Sequence, residues 1–288
     1  MPKYASPEEQ KIDNLRPKHN KLVEEAPYHP GYEDAVVCPF KENVIAGAEQ
    51  QGDDDKGYEE TKLADAIRFQ MKREGKRFWA GDNISDYVSE SDKAVLIKEA
   101  TQAFEGVLDA LLIDRENDPN SQGTAKRLAK MYFNEIMSGR YEPAPDATSF
   151  PNEVDDGYKG MLVVRSELRS MCSHHHQPVV GVAYIGIIAA DRLIGLSKYT
   201  RIAQWCARRG TLQEELCNDI AKEIAEATGS KNIAVYIQAT HGCCENRGIM
   251  AGSSLTQTTV LTGAFQTDMN TKKEFFDNIK LQQGYATK

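Results

Sequence analysis

Residues 157–189, GYKGMLVVRSELRSMCSHHHQPVVGVAYIGIIA, carry β-forming residues at Val163, Val179, Val182, Tyr184 and Ile185 and predict a strand-rich segment. Further on, LQEELCNDIAKEIAEATG repeats Leu212, Leu216, Ile220 and Ile224 at strict four-residue spacing and stops at Gly229. That pattern predicts an amphipathic helix closed by a glycine. KNIAVYIQAT and the Thr-rich SSLTQTTVLTGAF predict two more strands. Upstream, SDKAVLIKEATQAFEGVLDALLI places Ile97, Ala100, Phe104, Val107, Leu108 and Leu111 on one helical face, with Ser91 or Asp92 as its cap. TAKRLAKMYFNEIMSG predicts a second helix, capped by Thr124 and closed by Gly139. Helices flanking antiparallel strands make an α+β domain.

Residues 1–85 differ from this core, which runs from 86 to 288. They hold prolines at 2, 7, 17, 27, 30 and 39 and an acidic run at Asp53–Asp55. One helix is expected within YEETKLADAIRFQMKREGKRFW, from Leu63, Ile67 and Met71. The segment reads as an N-terminal extension, partly disordered or draped over the core. A formal charge of -8 argues against general nucleic-acid binding, while a local basic pocket for a small anion stays open. No apolar run approaches the ~20 residues of a membrane span, and the polar N-terminus lacks a signal peptide's apolar core. The expected location is the cytoplasm. Cys206 and Cys217, in helix-like sequence, are expected to be small buried residues.

Cys172-x-x-His175 presents a thiol and an imidazole at a spacing common for two ligands of one metal ion, and ATHGCCENRG supplies His241 and Cys243 directly after a strand. Cys172, His175 and Cys243 would suit Zn²⁺, with a fourth position left open as in catalytic sites. Such a metal lowers the pKa of bound water to about 7, and His174 and His241 would remain as proton donors or acceptors. Other readings stay open here: consecutive histidines fit a solvated turn, and Cys243–Cys244 fit one buried and one idle thiol. GLSKYTRIAQWCARR gathers Ser197, Lys198 and Arg201, and Arg247 follows the second cysteine cluster. Arg127 and Lys130 stand three apart on one helical face. Converging cations in an acidic chain fit a polyphosphate ligand, though each alone also fits an ordinary surface. Gln213–Glu214 opens a helix, where a carboxylate either serves the helix dipole or accepts from a purine edge.

Several motifs in order then match one family. TAKRLAKM follows T-P-x-R-V-A-K-M except at Ala125 and Leu128; CSHH follows C-E-H-H; GVAYIGIIAADRLIGLSK follows H-V-A-Y-I-P with I-G-L-S-K. ARRGTLQEEL follows A-R-R-x-Q-x-Q-E-R-L, HGCCENRG follows H-x-C-x-x-x-R-G, and GAFQTDMNTKKEFF follows the family's tail. From about Thr124 to Phe276 the chain resembles GTP cyclohydrolase I. The resemblance implies a tunnelling (T-) fold, an antiparallel sheet with two long helices on one side, whose subunits join into a barrel and a homodecamer. It implies hydrolysis of GTP to formate and 7,8-dihydroneopterin triphosphate, with Zn²⁺ held by Cys172, His175 and Cys243. It places His174 and His241 as proton shuttles, Glu214 on the guanine with Gln213 beside it, and Ser197 near the ribose. Lys198, Arg201 and Arg247 fall on the triphosphate positions, and Arg127 and Lys130 would reach it from a neighbouring subunit. The chain departs from the pattern at Ser173, where the family has Glu, and at His176, where an apolar residue is usual. Two alternatives follow: a cyclohydrolase of the same fold with another nucleotide or a ring-opened product, and a non-catalytic nucleotide-binding paralogue.

Overall fold

The computed structural model describes residues 62–152 and 157–286. The rest of the extension, 1–61, lies outside the described residues. Helix α1 (Leu63–Arg73) forms where the Leu63, Ile67 and Met71 series predicts it. Helix α2 (Glu90–Ala110) is capped by Ser89, two residues ahead of Ser91 and three ahead of Asp92, the expected caps. The Ser89 side chain accepts from the Asp92 N–H while the Asp92 carboxylate accepts from the Ser89 N–H, a reciprocal capping box. Leu96 and Leu108 are buried on α2, whereas Val107 and Leu111, placed on the buried face by periodicity, are 53% and 64% exposed. Met71, Ile84, Val88 and Leu96 form a small core of their own, with Phe133 and Tyr141 packed against it.

The second predicted helix is broken into pieces. Helix α3 (Thr124–Met131) starts after Gly123, whose positive φ of 71° makes Gly123 the cap and Thr124 the first helical residue. A π-turn over Tyr132–Ile136 follows, then the single-turn helix α4 (Ser138–Tyr141). Gly139 lies inside α4 and does not close the helix. A methyl group there would run into the Trp205 carbonyl, so close approach rather than termination explains this glycine.

The main sheet has four antiparallel strands in the order β2 (Met161–Met171), β3 (Pro178–Ile188), β5 (Ile233–His241), β6 (Thr256–Leu261). Short strands β1 (Ser149–Pro151) and β4 (Arg192–Ile194) form a separate pair. Helices α5 (Leu196–Ala207) and α6 (Gln213–Thr228) connect β3 to β5 and cover one face of the main sheet. Leu216, Ile220 and Ile224 of α6 are 2% exposed or less and meet Ile185, Val235 and Ile237 of the sheet. Cys206 and Cys217 lie fully buried in this layer. Helix α6 ends at Gly229, which takes φ 71°. On the opposite face, α8 (Ala264–Thr267) and α9 (Met269–Ala286) bring Phe265, Phe275 and Ile279 against Tyr184 and Ala234. Among the described residues, no helix is long and apolar enough to cross a membrane.

Register places the chemistry. Met171 pairs with Pro178, and Val179 pairs with His241, so the turn after β2 and the end of β5 share one end of the sheet. Residues separated by about seventy positions in sequence meet there because antiparallel pairing fixes which residues lie opposite.

Candidate active site and metal centre

The turn that joins β2 to β3 is residues 172–177. The Cys172 N–H donates to the Gln177 carbonyl and the His176 N–H donates to the Cys172 carbonyl, each at 2.9 Å. His176 takes a left-handed φ of 51°, uncommon for a residue with a Cβ. Cys172 is 4% exposed, while His174, His175 and His176 are all exposed. Helix α7 (Gly242–Glu245) follows β5 directly and carries Cys243 on its first turn.

The donor atoms of Cys172, His241 and Cys243 lie within 4.8 Å of one another. The two cysteines therefore meet as their motifs lead one to expect. The imidazole beside them is that of His241, the expected proton shuttle, and His175, the expected third ligand, stands exposed on the turn. Burial, and then the nearby thiols of Cys244 and Cys172, push the Cys243 thiol above its ordinary value. Burial likewise pushes His241 down, against the opposite pull of the Glu214 and Glu245 carboxylates. Two thiols and an imidazole gathered at this spacing form the soft nitrogen–sulfur donor set that zinc prefers, and a metal ion would favour the Cys243 thiolate that its surroundings disfavour.

Helix α6 aims its first turn at the same place. Glu214 is exposed there and acts on His241 through its charge. Gln213 is buried, and its Oε1 lies 2.7 Å from His241 Nε2. Neither the spacing nor the composition of the sequence signals that contact, which spans 28 positions. Ser197, Lys198 and Arg201 sit on the first turns of α5, with the Lys198 ammonium donating to the Asp146 carbonyl. Arg247 is exposed on the loop after α7. Arg127 turns back onto the segment preceding α3, donating to the Asn120 and Gln122 carbonyls and to Thr124 Oγ1. Lys130 is exposed one turn further along α3. A further feature is that His176 Nδ1 lies 3.2 Å from Tyr132 Oη, and Tyr132 stacks on Phe104 at 5.4 Å.

An antiparallel sheet that delivers two thiols and an imidazole to one point, with a carboxylate at a nearby helix start, fits the class of enzymes that could hold a metal ion beside a substrate. The family model of GTP cyclohydrolase I matches residues 100–280. GTP cyclohydrolase 1 of Aeromonas salmonicida is 39% identical over 178 residues, covering 60% of this chain and 79% of that protein. GTP cyclohydrolase 1 of Flavobacterium johnsoniae is 38% identical over 188 residues (64% and 82%), and that of Pseudoalteromonas translucida 35% over 187 (63% and 98%). The chain belongs to the GTP cyclohydrolase I family, whose fold is the T-fold.

Proposed function

We propose that this chain is a zinc-dependent GTP cyclohydrolase I of the cytoplasm that converts GTP and water to formate and 7,8-dihydroneopterin 3'-triphosphate. The observation that carries this reading is the convergence of Cys172, His241 and Cys243 beside the start of α6. Cys172 and Cys243 would hold the metal together with an imidazole, that of His175 by the family motif or that of His241 by proximity. When bound, zinc supplies Lewis-acid activation of water for attack at purine C8. Glu214 would accept hydrogen bonds from the guanine edge, with Gln213 beside it. Lys198, Arg201 and Arg247 would hold the triphosphate, and Ser197 would lie near the ribose. His174 and His241 would move protons at the purine nitrogens as the imidazole ring opens and formate leaves. Two waters are consumed in ring opening and deformylation, and one is returned when the pterin ring closes after rearrangement of the ribose, so the net use is one.

Arg127 and Lys130 would serve the site of a neighbouring copy in a ring-built homodecamer, once Arg127 leaves its own loop. The product belongs at the head of pterin, folate or 7-deazaguanine synthesis. Incubation of the zinc-loaded oligomer with GTP tests the proposal: formate and an oxidisable, fluorescent pterin should appear in equal amounts. Neither product, with zinc bound and the oligomer intact, overturns it. Ser173 in place of a carboxylate, with His176 drawn toward Tyr132, favours one second reading: a different nucleotide or a ring-opened end product. Mass spectrometry of products from GTP, dGTP and ATP separates the two, because a clean pterin from GTP alone dismisses the second.

A further inference from the structure

Gln213 is placed by the family pattern next to the guanine-reading carboxylate, yet its side chain is turned into the protein. It is 3% exposed. Its Nε2 faces three acceptors: Thr258 Oγ1 at 3.2 Å, the Thr256 carbonyl at 3.3 Å and the Ile237 carbonyl at 3.4 Å. Turning the amide over would set its carbonyl oxygen against two backbone carbonyls, so the network fixes which end is which. Oε1 is therefore the atom that meets His241 Nε2, at 2.7 Å. An amide oxygen only accepts, so Nε2 must carry a proton, and in the neutral imidazole the lone pair is then left on Nδ1.

We infer that Gln213 is a positioning residue whose buried carboxamide accepts from His241 Nε2–H, fixing the orientation of the ring and the tautomer that keeps its lone pair on Nδ1. The strands supply the rigidity. Ile237 lies on β5, the strand that also carries His241, and Thr256 and Thr258 lie on β6, so the amide is clamped between two paired strands and cannot swing with the imidazole. With one tautomer fixed, the histidine does not divide its population between a competent and an incompetent form, and ring rotation is restrained by the same bond. The kinetic consequence rests on the activity proposed above; the tautomer does not.

The test therefore has two arms. Solid-state ¹⁵N NMR of sedimented, ¹⁵N-histidine-labelled protein distinguishes protonated from unprotonated imidazole nitrogens whatever the oligomer size, and His241→Asn assigns the signals among the chain's 6 histidines. Wild type should show a single His241 form with Nε2 protonated. Gln213→Met, which keeps side-chain length without the amide, should show a mixture. A wild-type His241 protonated on Nδ1, or a spectrum unchanged by Gln213→Met, overturns the inference with no reference to substrate. Thr258→Val removes one acceptor and should loosen the pattern less, which covers the case of a Gln213→Met protein that does not fold. In the second arm, Gln213→Met should lower kcat for GTP by about tenfold to a hundredfold with KM nearly unchanged, as for partners that orient functional histidines. A raised KM with unchanged kcat would make Gln213 a substrate contact and overturn the positioning role. If wild type makes no pterin, the activity reading fails while the spectra still decide the tautomer.

Discussion

Replacing Arg209 with Met should destabilise the core domain by about 3 kcal/mol and loosen the start of α6. The Arg209 side chain is 6% exposed, pairs with Glu223 at 3.2 Å and Asp219 at 3.7 Å, and lies 3.8 Å over the ring of Trp205. It thereby fastens the end of α5 to the helix whose first turn carries Gln213 and Glu214. Removing one partner of a buried ion pair costs about 3–5 kcal/mol, because the other partner stays buried without compensation. Here the carboxylates of Asp219 and Glu223 are 33% and 23% exposed, so water recovers part of that loss and about 2–3 kcal/mol remains. Losing the guanidinium from the Trp205 face adds about 0.5–1 kcal/mol. For a domain of this size the sum lowers Tm by about 6–12 °C.

Burial already raises the Asp219 carboxyl against the pull of Arg209, and without Arg209 it rises further. A carboxyl with a folded pKa above its unfolded value binds its proton more readily when folded. Its destabilising effect is present above that folded pKa and is relieved as pH falls through it. The stability deficit of Arg209→Met should therefore shrink as pH is lowered from neutral toward the ordinary carboxylate range. Urea unfolding followed by tryptophan fluorescence reads this directly, since Trp205 lies under the substituted side chain. A deficit below about 1 kcal/mol at pH 7, or one that does not change with pH, would refute the reasoning.

Cys172→Ala and Cys243→Ala should each lose bound zinc, measured by elemental analysis of purified protein, together with pterin formation. Gly210→Ala should cost about 1–2 kcal/mol, because Gly210 holds φ +76° just ahead of α6 and a methyl group there lies 3.1 Å from the ends of Met137 and Met171; thermal unfolding checks it. Mixing an inactive Arg127→Ala chain with an inactive Cys172→Ala chain should restore part of the activity, since a mixed interface can contain one whole site. Two parents that stay inactive in demonstrably mixed oligomers would assign Arg127 to its own subunit's site, or to none.

Periodicity alone placed α6: the four-residue series from Leu212 to Ile224 has a single buried solution, and Gly229 supplies the left-handed residue that ends it. The strands over 161–188 were legible for a similar local reason, since β-branched and aromatic residues suit a pleated, half-buried surface. The motifs likewise named Cys172 and Cys243, because thiol chemistry is carried by residue type and needs no neighbours to be recognised. Local pattern failed where packing decided. Val107 and Leu111 obey helical periodicity yet face solvent, and Gly139, which looks like a helix end, is glycine because the Trp205 carbonyl lies against it.

What only the tertiary structure decided is who meets whom at the end of the sheet. The pairing of Val179 with His241 brings the β2–β3 turn to the end of β5, so that His241, rather than the exposed His175, lies with the two thiols. The same fold turns Gln213 inward to His241 and joins Arg209 to Asp219 and Glu223. Residue type declares that a thiol can bind metal or that an amide can accept a proton's hydrogen bond. Which partner it finds is a property of distance, and distance between residues far apart in the chain is set by strand register and helix packing, to which no local window of sequence has access.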